Sequence, residues 1–490
     1  MTGAVTLPLW MVVLLVVFAT IGIVDRVFAP SVRWFFRRRV NQAIDELNQR
    51  LDMRIQPFKL TRRQTHIDRL IYDPRVIEAV DAEARASGTP RAVVMKRAER
   101  YAREIVPSFS VTTYFGFGTR VARWISEFVY RVRLGYTDDE ALKSIDPEAT
   151  VVFVMNHRSN MDYVLVTYMA SSRASLSYAV GEWARVWLLQ NLIRSMGAYF
   201  IRRDSGDELY RRVLGRYVAM ATREGVTQAV FPEGGLTRDG ALKPPRLGLL
   251  SYMVSGFDPR SARDIVFVPV GLNYDRVIED RILTARAEKE VTGRDFRVRA
   301  AAILRFAANL VRLRWQGRLY RFGHACVSFG RPVSLSQWQA RTGVDFGAPD
   351  RDSLFEGVQK LGDDLMQAIG EIVPALPVAL ASHVFLANGE KWVGEPELKS
   401  AIFALILRLE EKGAHVHIPR ADRDYAVSTG LRMLRLRRMI EVDEAGLVRA
   451  APGERLLLTY YANSIAHLLP PEEPAPAAAG PVPGATRKRP

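Results

Sequence analysis

The sequence predicts an α/β protein in which a mixed sheet is flanked by helices, with helical regions before and after it. Two observations lead to this class. Short apolar runs rich in β-branched residues are typical of buried strands, and they occur at TVVFVM (150–155), QAVFP (228–232) and IVFVPVGLNY (265–274). Stretches with helical periodicity, such as ELYRRVLGRYVAMATREG, lie between them. Strands that alternate with helices indicate an α/β layer architecture, which we place at residues 146–335.

Residues 1–30 predict a transmembrane anchor. The run from Leu7 to Val24 is uncharged and just long enough to cross a bilayer as a helix. Residues 1–9 contain no Lys or Arg, whereas a cleavable signal peptide carries positive charge before its apolar stretch. Arginines follow the run, at Arg26, Arg33, Arg37, Arg38 and Arg39. The positive-inside rule therefore predicts a single-pass protein of the inner membrane whose remaining chain faces the cytoplasm, and a buried core helix is the alternative.

Three further regions surround the predicted sheet. Residues 31–145 are predicted to be a helical N-terminal region, because apolar positions in AVVMKRAERYAREIV recur with a helical period. Residues 350–468 are predicted to be mostly helical, and the order of a helix, VSTGLRMLRLRRMI and EVDEAGLVRA is typical of a winged helix. Residues 469–490 are rich in Pro and Ala and are predicted to be a disordered tail, since they cannot bury a core.

The chain is strongly basic, with 69 Lys and Arg against 53 Asp and Glu and a net charge of +16. This charge indicates a polyanionic partner, which can be nucleic acid, anionic lipid or a phosphorylated substrate. A basic segment at 281–321 fits either an interfacial amphipathic helix or the solvated face of an ordinary surface helix. The single cysteine, Cys326, excludes an intramolecular disulfide and a cysteine-rich metal site, and we expect it to be a core thiol.

His157 and Asp162 are the first candidate catalytic residues. They lie in NHRSNMDY, directly after the strand predicted at 150–155. On one continuous helix their side chains would point about 140° apart. They can meet only if the chain turns after His157 and a helix begins at Ser159 or Asn160. A carboxylate on one ring nitrogen would then orient the imidazole and leave the other nitrogen to take a proton from a hydroxyl, so the pattern predicts a general base and its partner.

Two further segments carry groups suited to binding phosphate. GAYFIRR is an apolar strand that ends in Arg202 and Arg203, whose guanidinium groups match phosphate oxygens. FPEGGLTRDG is a strand that runs into a turn, where Gly234 and Gly235 allow close backbone approach and Arg238 adds charge. This turn lacks the lysine and the spacing of a nucleotide P-loop, which excludes that mode of ATP binding. The alternatives are surface arginines and a plain tight turn.

A family resemblance follows from these segments taken together. NHRSNMDY resembles the HRSHMDY of glycerophospholipid acyltransferases, GAYFIRR resembles their GAFFIRR, and FPEGGLTRDG resembles their EGGRSRTG. The fourth segment is VFVPVGLNYD, where Pro269 interrupts a strand-like run and predicts an edge strand or the wall of a groove. The resemblance runs from about Val151 to Glu279, and within the family it points to the membrane-bound bacterial glycerol-3-phosphate acyltransferases. The closing YYANSIAHLL is similar to the C-terminal end of related enzymes.

The resemblance implies a function and a site. It implies transfer of an acyl group from acyl-CoA or acyl-carrier protein to the sn-1 hydroxyl of glycerol 3-phosphate, the first step of phospholipid synthesis, with no cofactor beyond the acyl donor and no metal. His157 would be the general base and Asp162 its partner. The substrate-binding residues would be Arg158, Ser159, Arg202, Arg203, Glu233, Gly234, Thr237 and Arg238. Because a thioester is already activated, a base and good positioning can suffice.

One departure from the family pattern bears on the acceptor. Leu236 stands where the family commonly has arginine, and Thr237 stands for serine. A phosphate contact is therefore missing or supplied elsewhere, for which Lys243 and Arg246 are candidates. Dihydroxyacetone phosphate and lysophosphatidate are the alternative acceptors. Anionic membrane lipids are the expected partners of the basic surface.

A membrane-tethered winged-helix DNA-binding protein is the alternative from another class. A basic helix near Arg435 would lie in a major groove in such a protein. Leu431 and Leu434 instead favour a packed helix, and a DNA reader needs none of the four segments. We therefore expect no nucleic-acid partner. His415 and His417 lack clustered Cys, Asp or Glu, so we predict no metal there.

Overall fold

A computed structural model of the chain describes residues 55–171, 175–180, 193–202, 206–260, 263–285, 322–347 and 351–470, with a few isolated residues besides. The segment Leu7–Val24, predicted to be an anchor, lies almost entirely outside the described residues. The same holds for most of the basic segment 281–321 and for residues 471–490 of the predicted tail. No helix among the described residues is long and apolar enough to cross a bilayer.

Within the described chain, eight strands form one mixed sheet. They are β1 (Arg131–Thr137), β2 (Thr150–Met155), β3 (Ser177–Val180), β4 (Tyr199–Phe200), β5 (Gln228–Val230), β6 (Ile265–Tyr274), β7 (His324–Phe329) and β8 (Val333–Ser334). Their order in the sheet is β1-β7-β6-β2-β5-β3-β4, and β8 pairs with β6 next to β7. Strands β6, β2, β5, β3 and β4 are parallel, whereas β7 and β8 run antiparallel to β6. The predicted α/β class with a mixed sheet is confirmed.

Helices precede, separate and follow these strands. Before β2 come α1 (Pro57–Leu60), α2 (Arg63–Ile71), α3 (Pro74–Ser87), α4 (Arg91–Ile105), a π-helix (Thr112–Gly118), α5 (Thr119–Val129) and α6 (Asp139–Lys143). Between strands lie α7 (Met161–Ala170), α8 (Glu208–Arg223) and α9 (Gly248–Val254). After β8 come α10 (Leu335–Thr342), α11 (Arg351–Ile372), α12 (Pro377–Asn388), α13 (Glu395–Glu411), α14 (Arg423–Leu436), the hairpin β9 (Ile440–Val442) and β10 (Val448–Ala450), and α15 (Arg455–Ala462). Short 3₁₀ turns occupy Pro419–Ala421, Pro452–Glu454 and Asn463–Leu468.

The two faces of the sheet bury different parts of the chain. On β2, Val151, Phe153 and Met155 pack into one apolar cluster with the C-terminal helices. Val152 and Val154, which point the other way, pack into a second cluster with the N-terminal helices and with α8, α9 and α11. Both faces are therefore covered, which explains why β2 is an unbroken apolar run.

Strand β1 departs from the predicted domain boundaries. The sequence predicted helix up to residue 145, but Arg131–Thr137 pairs in parallel with β7 at the edge of the sheet. Its side chains are all exposed or half-buried, so the strand carries charged residues where a buried strand would be apolar. The sheet therefore begins before residue 146, and the helical N-terminal region ends earlier than predicted.

Pro269 lies in a central strand. The β6 ladder with β8 ends at Phe267 and the ladder with β7 begins at Val270, so Pro269 lies in the gap between them. Proline has no backbone N–H, and in this gap neither β7 nor β8 has a carbonyl that needs one. The Pro269 carbonyl accepts the N–H of Gly330 at 2.9 Å. The prediction of an edge strand is wrong. The other prediction, the wall of a groove, agrees with its place beside a surface cavity.

The C-terminal helices pack on the sheet rather than standing apart from it. Helices α12, α13 and α14 precede the hairpin β9–β10, which is the order that the sequence predicted as winged-helix-like. On α14, Leu431 and Leu434 are buried. Just beyond α14, Arg437 makes a buried 2.5 Å ion pair with Asp280 in the loop after β6. The helix that would read DNA therefore buries apolar side chains in the core, and the residue just beyond its C-terminal end is ion-paired to the loop after β6.

Candidate active site

His157 and Asp162 meet in the turn between β2 and α7. Strand β2 ends at Met155 and α7 begins at Met161, so the chain turns where the sequence required it to turn. His157 Nδ1 lies 2.9 Å from Asp162 Oδ2, and both side chains are almost fully buried. A carboxylate at Nδ1 favours the tautomer that carries its proton there, which leaves Nε2 as the basic nitrogen.

Asp162 is the centre of this turn. Its Oδ2 atom also accepts the backbone N–H groups of Arg158 at 2.7 Å and Ser159 at 3.0 Å. Its Oδ1 atom accepts the hydroxyl of Tyr274, at the end of β6, at 2.6 Å. Four donors thus hold one carboxylate, and the carboxylate in turn fixes the imidazole of His157.

Aromatic rings surround the imidazole. Phe231 stacks on His157 with 4.0 Å between ring centroids, and Tyr163 meets the same ring edge-on at 5.5 Å. Tyr163 and Phe231 also contact each other at 4.9 Å. These rings form an apolar wall around the imidazole and limit its contact with water.

Glu233 is the second buried carboxyl at the site. Its Oε1 atom accepts the backbone N–H of His157 at 2.9 Å, while Oε2 is buried and has no hydrogen-bond partner among the described residues. Burial raises the pKa of this carboxyl to about 7, against the opposing influence of the His157 N–H, Arg158 and Lys243. Near neutral pH this group can therefore accept or donate a hydrogen bond toward a hydroxyl.

The loop after β5 is folded against His157. The Thr237 N–H donates to the His157 carbonyl at 3.1 Å, and Thr237 Oγ1 donates to the Ala241 carbonyl at 2.9 Å, so Thr237 shapes the loop. Gly234 has a φ of +69°, and a Cβ added there would lie 2.4 Å from Arg246 Cδ. A larger residue at this position would have a strained backbone and would require the Arg246 side chain to move.

Three cationic residues belong to this loop. Arg238 follows Thr237 and is half-buried. Lys243 Nζ donates to the Leu236 carbonyl at 3.1 Å, and the Arg246 side chain lies over Gly234. Lys243 and Arg246, the candidates to replace the arginine missing at Leu236, are thus both folded back onto the turn.

Arg202, just after β4, is paired with Glu104. Its Nε and Nη2 atoms donate to the two oxygens of Glu104 at 2.9 and 2.6 Å, and this pairing raises its pKa further. Its guanidinium also lies 5.0 Å from the ring centroids of Tyr101 and Tyr210. Neighbouring strands lie about 4.8 Å apart, so β4, which precedes Arg202, is roughly 14 Å from β2. Arg203 lies outside the described residues.

The side chains of Arg158 and Ser159 form hydrogen bonds with other parts of the protein. The buried Arg158 guanidinium donates through Nη1 to the Gly240 carbonyl and through Nη2 to the Ser464 carbonyl, the latter at 3.1 Å. Ser159 Oγ donates to Glu279 Oε2 at 2.7 Å. Both residues hold the loops around His157, and their role as substrate contacts stays a prediction.

Sequence reasoning missed Tyr274 and Glu279. Glu279 accepts from Ser159 Oγ and, through Oε1, from Asn160 Nδ2 at 3.0 Å, and burial raises its pKa. Tyr274 donates to Asp162. Both lie at or just after the C-terminal end of β6, beside the end of the parallel strand β2. Because the carboxyl ends of parallel strands share one edge of a sheet, the polar residues at the end of IVFVPVGLNY and just after it were a usable signal.

Other candidate groups lie apart from His157. Cys326 is buried in β7, and burial raises the pKa of its thiol to about 12, which keeps it protonated. Burial lowers the pKa of His417 to about 4, and its ring lies 5.2 Å from that of His324, whose Nδ1 meets Asp275 at 2.9 Å. Within the part of the chain that the structure describes, no group of three or more His, Cys, Asp or Glu side chains is placed to hold a metal ion.

Two family models match this chain, one in its middle part and one in its C-terminal part. A family model described as Acyltransferase matches residues 134–273, and one described as Glycerol-3-phosphate acyltransferase C-terminal region matches residues 307–472. Curated glycerol-3-phosphate acyltransferases are similar over 84% of this chain: that of Pseudomonas putida is 27% identical over 428 residues and that of Actinobacillus succinogenes is 26% identical over 422 residues. The chain covers 49% and 50% of these two proteins, so it spans about half the length of the curated relatives it matches.

A solved structure shows a weaker likeness. The 1-acyl-sn-glycerophosphate acyltransferase PlsC from Thermotoga maritima overlaps 62% of this chain and 96% of its own, with a TM-score of 0.30 and 16% identity. This likeness is too slight to bear on the fold or the site.

Proposed function

We propose that this chain transfers a fatty acyl group from a thioester to the sn-1 hydroxyl of glycerol 3-phosphate. Two family models and curated relatives confirm its resemblance to the glycerophospholipid acyltransferases. The observation that carries the proposal is the buried pair of His157 and Asp162, 2.9 Å apart, at the C-terminal edge of the sheet. The product would be lysophosphatidate, and the donor either acyl-CoA or acyl-carrier protein.

The proposed reaction needs one base and no covalent enzyme intermediate. His157 Nε2 takes the proton of the attacking hydroxyl while the hydroxyl oxygen bonds to the thioester carbonyl carbon. The carbon–sulfur bond then breaks, and the proton passes from His157 to the departing thiolate. The ester and a free thiol result. Asp162 stabilises the imidazolium form between these two steps.

Glu233 and the loop after β5 are the proposed acceptor site. The buried Oε2 atom of Glu233 can bond a glycerol hydroxyl beside the base. Arg238, Lys243 and Arg246 supply positive charge on the same loop, and we assign the acceptor phosphate to them. Glycerol 3-phosphate separates its reacting hydroxyl from its phosphate by a short carbon chain, which suits this adjacent loop better than the more distant Arg202.

The proposed reaction takes place at a membrane surface. An anchor at Leu7–Val24 followed by arginines would keep the active site on the cytoplasmic side. The net charge of +16 would favour both anionic lipid headgroups and an anionic acceptor. The lipid product could then enter the bilayer directly.

The proposal is tested with the full chain in detergent and its His157→Ala variant. Each is incubated with labelled palmitoyl-CoA and, separately, glycerol 3-phosphate, dihydroxyacetone phosphate or lysophosphatidate, and the lipid formed is identified. We expect lysophosphatidate from glycerol 3-phosphate with the wild type and almost none with the variant. Product from another acceptor alone would change the substrate, and acyl-carrier-protein donors are tried next if palmitoyl-CoA gives none. Equal turnover by His157→Ala would refute the assignment of the base.

A further inference from the structure

Tyr274 ends strand β6 inside the core. Its side chain is fully buried, and its ring packs on that of Tyr130 with 5.2 Å between centroids. A phenylalanine ring would satisfy this apolar packing equally well. The hydroxyl is therefore the informative part of the side chain, because a buried hydroxyl is costly unless it makes a hydrogen bond.

The Tyr274 hydroxyl makes that bond to Asp162. It donates to Oδ1 at 2.6 Å, while Oδ2 is taken by His157 Nδ1 and by two backbone N–H groups. Burial raises the pKa of Tyr274 well above its ordinary value, so the hydroxyl keeps its proton and remains a donor across the working pH range. The carboxylate is thus held at both oxygens, from β6 on one side and from its own turn on the other.

We propose that Tyr274 is a positioning residue for the acyl transfer, which acts through Asp162 to fix the orientation and the proton affinity of His157. The inference rests on the proposed function above. A hydrogen bond at Oδ1 withdraws charge from the carboxylate, which weakens its hold on the proton of the imidazolium. His157 then releases its proton more readily to the departing thiolate, and it is free to act as base at a lower pH.

Other titratable groups face the same turn and would contribute to any pH dependence. Glu233 bonds the His157 backbone, Glu279 bonds Ser159 and Asn160, and the Arg158 guanidinium lies on the far side of the turn. Tyr163 meets the His157 ring edge-on. Tyr130 packs on Tyr274 but donates its hydroxyl to the Arg276 carbonyl, and both of these buried tyrosines stay protonated because burial raises each pKa. The hydrogen bonds of Glu233, Glu279, Arg158 and Tyr130 do not involve the Tyr274 hydroxyl, so removing that hydroxyl isolates its effect on Asp162.

The test compares Tyr274→Phe with Tyr130→Phe. Both remove a hydroxyl from a fully buried tyrosine of the same cluster, but Tyr130 donates to the Arg276 carbonyl at 2.8 Å and not to Asp162. The pH profile of kcat/KM, kcat and the acceptor KM are measured for each variant, with thermal unfolding to verify that both fold.

For Tyr274→Phe we expect kcat to fall roughly tenfold to a hundredfold with little change in acceptor KM, since positioning near the reacting atoms is lost. The acid limb of its kcat/KM profile should move to higher pH by about half a unit to one unit. Tyr130→Phe should keep the wild-type profile. In an Asp162→Asn background the further change Tyr274→Phe should have almost no effect on kcat.

Three results would overturn the inference: an unchanged pH profile in Tyr274→Phe, equal effects of the two Tyr→Phe variants, or full additivity with Asp162→Asn. Each of these can occur while the wild type is active and His157→Ala is not. Failure of the inference is therefore distinguishable from failure of the proposed function, in which His157→Ala would retain turnover.

Discussion

Arg158 Nη2 donates to the Ser464 carbonyl at 3.1 Å, across 306 positions of the chain. Arg158 directly follows the proposed base, and its Nη1 atom also reaches the Gly240 carbonyl on the loop after β5. One buried guanidinium thus joins the turn that holds His157, the proposed acceptor loop and the C-terminal end of the described chain. The C-terminal region is in this way part of the scaffold of the site.

Replacing Arg158 by Met should destabilise the protein and lower activity together. The variant keeps an unbranched side chain but leaves the Gly240 and Ser464 carbonyls without these donors, which costs about 1–3 kcal/mol for each buried group left unpaired. Urea unfolding and kcat are the measurements. Arg435→Met, at an exposed position on α14, is the control and should change neither. A stable Arg158→Met variant with an altered acceptor KM alone would instead support a direct substrate contact.

Asp162→Asn should lower kcat by about 10²–10⁴-fold, the usual contribution of a positioned acid–base group. The amide oxygen can still accept the N–H groups of Arg158 and Ser159, so the fold should survive, but the negative charge that supports the imidazolium is lost. Steady-state kinetics, with circular dichroism as the check on folding, measures this. Wild-type kcat in a folded Asp162→Asn variant would show that the pair does not act as base and partner.

Glu233 should make stability depend on pH. Its folded pKa of about 7 lies above the ordinary 4.5, so the folded protein holds this proton more tightly than the unfolded chain does. The resulting stabilisation is complete below about pH 4.5 and is lost as pH rises through 7, by up to about 3 kcal/mol. Glu233→Gln removes this dependence. The difference in free energy of unfolding between the wild type and Glu233→Gln, measured from pH 4.5 to 8, should therefore fall with pH; a flat difference contradicts it.

Arg238→Ala and Arg202→Ala should have opposite consequences. Arg238 lies on the proposed phosphate loop, so its removal should raise the acceptor KM about tenfold or more with little effect on the donor KM. Arg202 is paired with Glu104 between two tyrosine rings, so its removal should lower the unfolding midpoint and leave the acceptor KM near the wild-type value. The reverse pattern would place the phosphate at β4 instead.

Gly240→Ala should be far more damaging than Gly446→Ala. Both glycines have left-handed backbones, with φ of +85° and +82°, so each substitution costs about 1–2 kcal/mol of strain. A Cβ at Gly240 would also lie 1.8 Å from the Tyr460 carbonyl oxygen, whereas a Cβ at Gly446 meets nothing within 4 Å. Thermal unfolding should show a much larger loss for Gly240→Ala, accompanied by loss of activity. Equal losses would mean that α15 can move away from the loop without cost.

The strands differ in how well the sequence predicts them. The runs at 150–155 and 265–274 are strands with those bounds, because a strand covered on both faces must be apolar at every position. Strand β1 was missed because an edge strand is exposed along one side and can carry charge. A proline is tolerated in the central strand β6 because it lies in a gap between the ladders with β7 and β8. The local sequence does not reveal that gap, so Pro269 was assigned to an edge strand.

The sequence by itself determined the α/β class, the turn that brings Asp162 to His157, and the resemblance of the flanking segments, since each depends on residues close together in the chain. Tertiary structure decided which polar groups surround that pair. Tyr274, Glu279 and Ser464 reach the turn from 112, 120 and 306 positions away from the residues they bond. Such contacts are set by strand order and by packing of the C-terminal helices, and neither periodicity nor local spacing encodes them.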